Sequence, residues 1–327
     1  MTGPRLLVLR AIGLGDFLTG VPALRMLRRA LPGYELVLAT PAALGPLVEL
    51  SDAVDVHLPT AELAPPAWSG PPPDIAVDLH GNGPASKRLL QALRPARLVA
   101  FAGPGGDGEH VAGPRWEADE HEAARWCRLV EAEFGVPASP DDLLLRPTSV
   151  RSAAPGAVVV HAGAAYASRR WPAERFAEVA HRLAADGFEV VLTGSAEEAG
   201  LAEDVRRRAG LPGSAVLAGR TDLAALAALV AGARLVVCGD TGVAHLATAC
   251  TTPSVLLFGP TSPARWGPAR PGPHTVLWYG DGRGDPHGAA VDPALLRIQA
   301  AEVLAAAQAR LVTRPAGVTA GSSHPAS

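Results

Sequence analysis

The sequence predicts an α/β protein of two Rossmann-like, doubly wound domains facing a central cleft. Three observations predict it. Short apolar runs alternate with helix-period segments along the whole chain, the pattern of parallel sheets with crossover helices. A length of 327 residues suits two domains of ordinary size, each able to bury its own core. Residues 146–156, RPTSVRSAAPG, have linker composition and precede a fresh apolar run.

In the first half, strands are expected over 6–10, 34–40, 54–58, 74–80 and 97–101. Residues 21–31 read as a helix with Pro22 in its first turn, where the missing N–H costs little. Residues 61–73 form a Pro-rich surface loop and 103–115 a Gly-rich one, and 117–134 read as a helix. The second half places strands over 157–161, 189–193, 215–217, 234–238 and 254–258. They alternate with helices over 172–185, 196–209, 222–231 and 241–249. An amphipathic helix over 292–311 follows, and small polar residues read as a disordered tail. The expected organisation is a first domain at 1–150, a second at 155–290, a C-terminal helix at 291–312 and the tail at 313–327.

Composition narrows the function classes. Hydrophobic residues at 48% with 19% charged describe a soluble globular chain. A net charge of -3 supplies no basic face for nucleic acid. Lys87 is the one lysine among 29 basic residues, which reads as codon bias and not as an Arg patch. Arg25, Arg28 and Arg29 read as a solvated helix face, so membrane contact is at most peripheral. The three cysteines, Cys127, Cys238 and Cys250, lack metal-ligand spacing and read as core thiols of a reducing cytoplasm. No signal peptide and no apolar run of about 20 residues is present. The expected protein is a cytoplasmic monomer, reaching no further than the inner face of the membrane.

The most informative segment is 238–268, CGDTGVAHLATACTTPSVLLFGPTSPARWGP. A helix opening at Thr241, at the carboxyl end of a buried strand, aims free N–H groups and a positive dipole end into the crevice above the sheet. That suits a diphosphate. Thr241 and His245 lie one turn apart, with Gly242 between them. Asp240 taken alone reads equally as an N-cap, and His245 alone as a core histidine.

Other strand ends add chemistry. Arg10-Ala-Ile-Gly-Leu-Gly-Asp16 follows the first strand, and Gly13 and Gly15 permit a tight turn and close approach of a ligand. Leu18 stands where a dinucleotide fingerprint needs its third glycine, and no Walker A sequence occurs. Asp16 can accept a proton from a hydroxyl nucleophile, or serve only as a cap. Asp78, His80 and Asn82 close another strand and suit a polyhydroxylated ligand, although His80 also reads as a turn residue. Arg169 or Arg170 can supply fixed charge to a phosphate. Glu197, in the Gly194-Ser-Ala-Glu-Glu198 opening of a helix, either binds ribose hydroxyls or complements the dipole, and Arg220 completes the donor-side candidates. No Asp-x-Asp occurs and the ten histidines are dispersed, so no metal is called for.

With these residues in place, the chain resembles glycosyltransferase family 9, the group containing the ADP-heptose:lipopolysaccharide heptosyltransferases. The resemblance rests on Arg10–Asp16 followed by Pro22-Ala-Leu, and on Asp78-Leu-His-Gly-Asn82. It continues through Arg170-Trp-Pro172, Thr193-Gly194 with Glu197, and Asp240-Thr-Gly-Val-Ala-His245 with Phe258-Gly-Pro-Thr-Ser-Pro263. It implies a GT-B fold, with acceptor on the first domain, nucleotide sugar on the second, and a final helix that crosses back to the first domain.

The implied enzyme is an inverting, metal-independent glycosyltransferase using a nucleotide-sugar co-substrate, ADP-heptose favoured, and no cofactor. Asp16 matches the family's base, and the diphosphate leaves into the helix end at Thr241–Gly242. Two departures bear on specificity. The Arg169-Arg170 pair stands where the family often has Lys, and His80 where it often has Gln. The acceptor is therefore open among a glycan, a lipid-linked sugar and a small molecule. Two rivals remain at this point: a GT-B nucleotide-sugar epimerase or hydrolase, and a non-catalytic nucleotide-sugar-binding protein.

Overall fold

The computed structural model describes residues 3–312 apart from residue 107, so the expected tail at 313–327 lies outside the described residues. The first half runs β1 (Arg5–Leu9), α1 (Leu14–Ala30), β2 (Glu35–Thr40), α2 (Gly45–Ser51), β3 (Val56–Pro59) and β4 (Ile75–Asp78). It continues with α3 (Pro84–Ala92), β5 (Arg97–Val99), a small hairpin of β6 (Gly103–Pro104) and β7 (His110–Val111), and α4 (Glu122–Phe134). The second half runs β8 (Val158–His161), α5 (Ala173–Ala185), β9 (Val190–Thr193), α6 (Ala199–Ala209), α7 (Leu223–Gly232) and β10 (Leu235–Gly239). It ends with α8 (Gly242–Ala249), β11 (Ser254–Phe258), α9 (Pro263–Trp266), β12 (His274–Trp278), α10 (Pro293–Arg297) and α11 (Ala300–Val312).

Two five-stranded sheets form, ordered β3-β2-β1-β4-β5 and β12-β11-β10-β8-β9, with every neighbouring pair parallel. Helices cover both faces, so the strands are apolar on both sides. In β1, Leu6 and Val8 enter one core while Leu7 and Leu9 enter the opposite one. The strand order reverses between β1 and β4 and again between β10 and β8. Ligands of such sheets bind beyond the carboxyl ends of strands at these reversals. The halves meet where α1 packs on α8 and α2 on α7. The connecting chain is stitched to both: Leu145 N–H donates to the Ala249 carbonyl (3.1 Å) and Arg146 N–H to that of Leu50 (2.9 Å).

Several elements differ from expectation, each for a local reason. Helix α1 begins at Leu14 and not at 21, which puts Pro22 inside the helix, where it removes only the bond to the Leu18 carbonyl. Helix α4 starts at Glu122 because His121 is its N-cap, accepting Ala123 N–H at 3.2 Å. The strand expected over 215–217 is a 3-10 turn (Gly213–Ala215) with one isolated bridge from Val216 to Leu192. The helix expected over 292–311 is broken. Trp171 Nε1 and Arg175 Nη1 both donate to the Ile298 carbonyl, and Glu302 accepts Gln299 N–H to restart the turn. Ile298, Val303, Ala307 and Leu311 then pack with the second sheet and α5, so this helix stays on the second domain instead of crossing back. The arginines of α1 do not form a free basic face: Arg25 and Arg29 pair with Asp142, and Arg28 with Asp55.

One contact sets the start of α1. Arg10 is fully buried, directly after β1. Its Nε donates to the Asp16 carbonyl, Nη1 to that of Leu79, and Nη2 to Thr19 Oγ1 (3.0 Å) and Glu122 Oε1 (3.3 Å). The guanidinium also lies 4.9 Å over the Trp126 ring. Gly20 makes room for it: a Cβ there would sit 2.6 Å from Arg10 Cδ and 2.7 Å from Nε. In an open helix, Gly→Ala gains about 0.5–1 kcal/mol. Here the overpacking cost of about 1–3 kcal/mol outweighs it. Gly20→Ala is therefore expected to lower unfolding stability by about 1 kcal/mol in urea titration, and a gain would show that Arg10 is not held in this packing.

Candidate functional site

A cavity of about 970 Å³ opens between the two domains, at the carboxyl ends of both sheets. Its size suits a nucleotide sugar. Gly13, Gly15 and Asp16 form one wall, with the apolar Ile12, Leu14, Ala43 and Pro46 and the carboxylate of Glu62. Gly13 is the N-cap of α1 and no side chain caps that helix. The start of α1 abuts the start of α8: a Cβ on Gly15 would lie 2.9 Å from His245 Cδ2, and one on Gly242 only 2.8 Å from Leu14 Cβ. Glycine at both positions lets two helix N-termini share one cavity.

Asp16 sits in the first turn of α1, its side chain 27% exposed. Arg10 holds the main-chain carbonyl of this residue, while its Nη2 stays 3.9 Å from Asp16 Oδ1. The carboxyl group is thus near a cation without being consumed by it. Burial pushes its pKa above the ordinary carboxylate value. Arg10 and Arg169 oppose that shift, and Glu122 adds to it. Glu122 in turn bonds Arg125 and accepts Trp126 Nε1–H (2.7 Å), so α4 anchors the arginine that anchors the acid.

The second domain supplies the opposite wall. Thr241 is the N-cap of α8 with no side-chain cap, which leaves the first N–H groups of that helix facing the cavity. The expected capping by Asp240 is not made. Its carboxylate instead takes a hydrogen bond from Thr261 and lies 3.9 Å from Arg169 Nη1. Burial raises the Asp240 pKa, and repulsion from Asp16 adds to the rise. His245 lines the same wall beside Trp266, ring centroids 5.8 Å apart. Burial, helped by His121, Arg10 and Arg169, lowers its pKa to about 4, so it is neutral at pH 7.

The two arginines face opposite ways. Arg169 lines the cavity, and its buried Nε–H has no hydrogen-bond partner among the described residues. Arg170 Nε donates to the Ala164 carbonyl (2.8 Å) and braces the loop from behind. The two neighbouring glutamates also differ in placement. Glu197 is exposed, whereas Glu198 lines the cavity beside His161 and Ser195. Arg220 is exposed and outside the lining, where Thr221 and Asp222 stand instead.

The strand-end candidates of β4 do not line the cavity. Asp78 is fully buried, its Oδ1 accepting His80 N–H (2.9 Å) and its Oδ2 the Ser86 hydroxyl (2.7 Å), so it caps the turn and burial keeps it from an acceptor. Asn82 Oδ1 accepts from Lys87 Nζ at 3.1 Å. His80 is half-buried beside Arg10, which together with burial lowers its pKa to about 4. Glu198, His161 and Glu122 are the residues missed. Only proximity in the fold marks them, although Ser195 followed three residues later by Glu198 is a capping-box spacing.

Residues 114–278, half of the chain, match the family described as Glycosyltransferase family 9 (heptosyltransferase). Lipopolysaccharide heptosyltransferase 1 of Pseudomonas aeruginosa is 38% identical over 152 residues, which cover 45% of this chain and 42% of that protein. The chain thus matches less than half the length of that curated relative. The structure of the E. coli ADP-heptose lps heptosyltransferase II superposes with a TM-score of 0.74 at 22% identity, covering 94% of this chain and 98% of that one. The glycosyl transferase family 9 structure from Veillonella parvula gives 0.74 at 19% identity, covering 94% and 97%. These structures establish the GT-B fold.

The raised pKa of Asp16 makes a stability prediction. The folded protein keeps a proton on this group at pH values where the unfolded chain has already lost it. Stability is therefore lost as pH rises from the unfolded value through the folded one, and the penalty is complete above the folded pKa. Asp16→Asn is expected to melt with the wild type near about pH 4 and above it near about pH 8. A variant no more stable than wild type at the higher pH would show that Arg10, not burial, dominates the site.

Proposed function

The chain belongs to glycosyltransferase family 9, and from that premise we propose that it transfers a sugar from a nucleoside-diphosphate donor to a hydroxyl acceptor. The donor proposed first is ADP-heptose. The observation that carries the reading is a half-buried carboxyl of raised pKa on one wall, facing an uncapped helix end and an arginine whose Nε–H makes no hydrogen bond on the other.

On this reading the acceptor hydroxyl gives its proton to Asp16 as its oxygen attacks the anomeric carbon. The bond to the diphosphate oxygen breaks on the opposite face, which inverts the centre. The departing diphosphate gains charge as it leaves, and the N–H groups at Thr241–Gly242 and the Arg169 guanidinium are fixed beforehand to receive it. A helix N-terminus contributes about 0.3–1 kcal/mol to a bound anion, and up to about 2 where partly buried. Arg169 supplies the cationic charge that a divalent metal would otherwise bring. Among the described residues no three His, Cys, Asp or Glu converge as metal ligands do. Glu198 is the proposed reader of the ribose hydroxyls.

The proposed enzyme works as a cytoplasmic monomer. Three free cysteines support the compartment. Among the described residues no helix is long and apolar enough to cross a membrane. The acceptor wall offers no cation among its described lining, so an uncharged glycan or small-molecule hydroxyl fits it better than an anionic one.

Three measurements test this. In a thermal-shift panel of ADP-, GDP-, UDP- and dTDP-sugars, a true donor raises the melting point by mass action, and ADP-heptose is expected to raise it most. Asp16→Asn is expected to cut transfer by about a hundred- to ten-thousand-fold while nucleotide affinity is not weakened. Retained transfer with weakened nucleotide binding would remove Asp16 from the base role. By calorimetry, Arg169→Ala, Asp240→Ala and His245→Ala are each expected to weaken nucleoside-diphosphate binding, with Arg170→Ala close to wild type. Equal losses at Arg169 and Arg170 would overturn the phosphate assignment.

A further inference from the structure

His161 closes β8 and is buried, yet it takes no part in the chemistry above. An imidazole at the end of a buried strand costs desolvation that a leucine would not, so its polar atoms need employment. They have it. His161 pairs in register with Thr193 on β9, and its Nδ1 lies 3.1 Å from Thr193 Oγ1. Its Nε2 lies on the other side, 3.9 Å from Glu198 Oε2.

The tautomer follows from the partners. An ionised carboxylate only accepts, and at 3.9 Å, longer than a hydrogen bond, its field still favours the tautomer whose proton faces it. Nδ1 is then the acceptor, and the Thr193 hydroxyl donates to it. Burial holds the ring pKa below its ordinary value, with Glu198 opposing, so the ring is a neutral donor.

Glu198 is restrained on every side. Its Oε2 accepts Ser195 N–H at 2.9 Å, and its own N–H donates to Ser195 Oγ at 3.3 Å. Gly163 leaves the space the carboxylate fills: a Cβ there would fall 2.1 Å from Glu198 Oε1. Oε2 is held by Ser195 and faces His161, Oε1 packs over Gly163, and Glu198 lines the cavity together with His161 and Ser195.

We infer that His161 is a positioning residue for Glu198, and that the chain Thr193–His161–Glu198 sets the preference of the donor site for a ribonucleotide over its 2′-deoxy counterpart. The inference rests on the proposed donor site and deepens it. A carboxylate free to rotate would bond the ribose in some of its orientations only, whereas one fixed from behind presents its oxygens at one place. The neutral donor also leaves the Glu198 charge intact, and a charged acceptor makes the stronger bond to a hydroxyl.

The test uses calorimetry on the full chain with ADP, GDP and UDP, followed by the 2′-deoxy form of the tightest of them. Wild type is expected to prefer the ribonucleotide by about tenfold or more, the worth of one hydrogen bond to a charged group. His161→Leu is expected to weaken the ribonucleotide by about that factor and leave the 2′-deoxy form unchanged, bringing the ratio near one. Glu198→Gln is expected to lower the ratio in the same way. His161→Gln, whose amide can still donate toward Glu198, is expected to restore most of it.

Equal weakening of both nucleotides by His161→Leu would mean a merely structural histidine and overturn the inference alone, as would a ratio unaffected by the change. Failure of wild type to bind any of the three diphosphates would overturn the donor reading, and this inference with it.

Discussion

The fully buried Arg10 guanidinium is the constraint on which the site depends. It lies where β1 ends, and each of its nitrogens is committed: to the first turn of α1, to the chain after β4, and to Thr19 and Glu122. A buried cation is tolerated only when paired and hydrogen-bonded. That requirement pulls three segments, distant in sequence, to one point. It also fixes Asp16 by its carbonyl and not by its carboxyl group, which decides the character of the acid. A bidentate Arg10–Asp16 pair would have held the carboxyl below its ordinary pKa and made it a poor proton acceptor. Committing the guanidinium elsewhere leaves burial as the larger effect.

Charge is divided unequally across the cleft. The first-domain wall carries two carboxylates, Asp16 and Glu62, among apolar side chains. The second-domain wall carries Arg169, Arg265 and the N-terminus of α8 together with the carboxyl groups of Glu198, Asp222 and Asp240, and its His161 and His245 are buried and held neutral by their surroundings. Among the described lining residues, arginines stand on the second-domain wall alone. On the proposed reading it is Arg169 and the α8 N-terminus locally, and not the net charge of the wall, that hold the diphosphate. The glycines at 15 and 242 bring these walls within van der Waals distance, so the division is sharp over a few ångströms.

Much of this was legible in the sequence, because buried parallel strands leave apolar runs that periodicity finds, and every strand that lines the switch points was read. The start of α1 was not. Gly13-Leu-Gly15 has no capping side chain, so a helix beginning there looks like a loop, and Pro22 looks like a first-turn residue when it lies inside. The final helix read as one because its apolar period continues unbroken. What breaks it is Trp171, two residues ahead of α5, and Arg175 within α5 reaching for the Ile298 carbonyl, a tertiary event with no local signature. The site showed the same split. Gly13, Gly15, Asp16, Asp240, Thr241, Gly242 and His245 converge because each closes a strand or opens a helix. The choices between Arg169 and Arg170, and between Glu197 and Glu198, depend on which neighbour faces inward. Adjacent residues in an irregular loop give no periodicity to decide that. Asp78 misled for the opposite reason: a polar residue at a strand end is equally suited to capping its own turn, and Ser86 and His80 use it so.

The two walls are also coupled through Arg169. Its charge lowers the pKa of Asp16 from across the cleft, one of several influences on that group. On the proposed reading, a diphosphate seated on Arg169 neutralises this guanidinium and adds negative charge beside Asp240 and Asp16. Both changes act in the same direction and raise the proton affinity of Asp16, in a site where low dielectric makes such fields felt. The acid is therefore a stronger base with the donor bound than without it. By linkage, the proton and the diphosphate favour each other's binding, because each offsets the charge the other brings. The same arginine that binds the leaving group thus strengthens the base only once there is a group to leave.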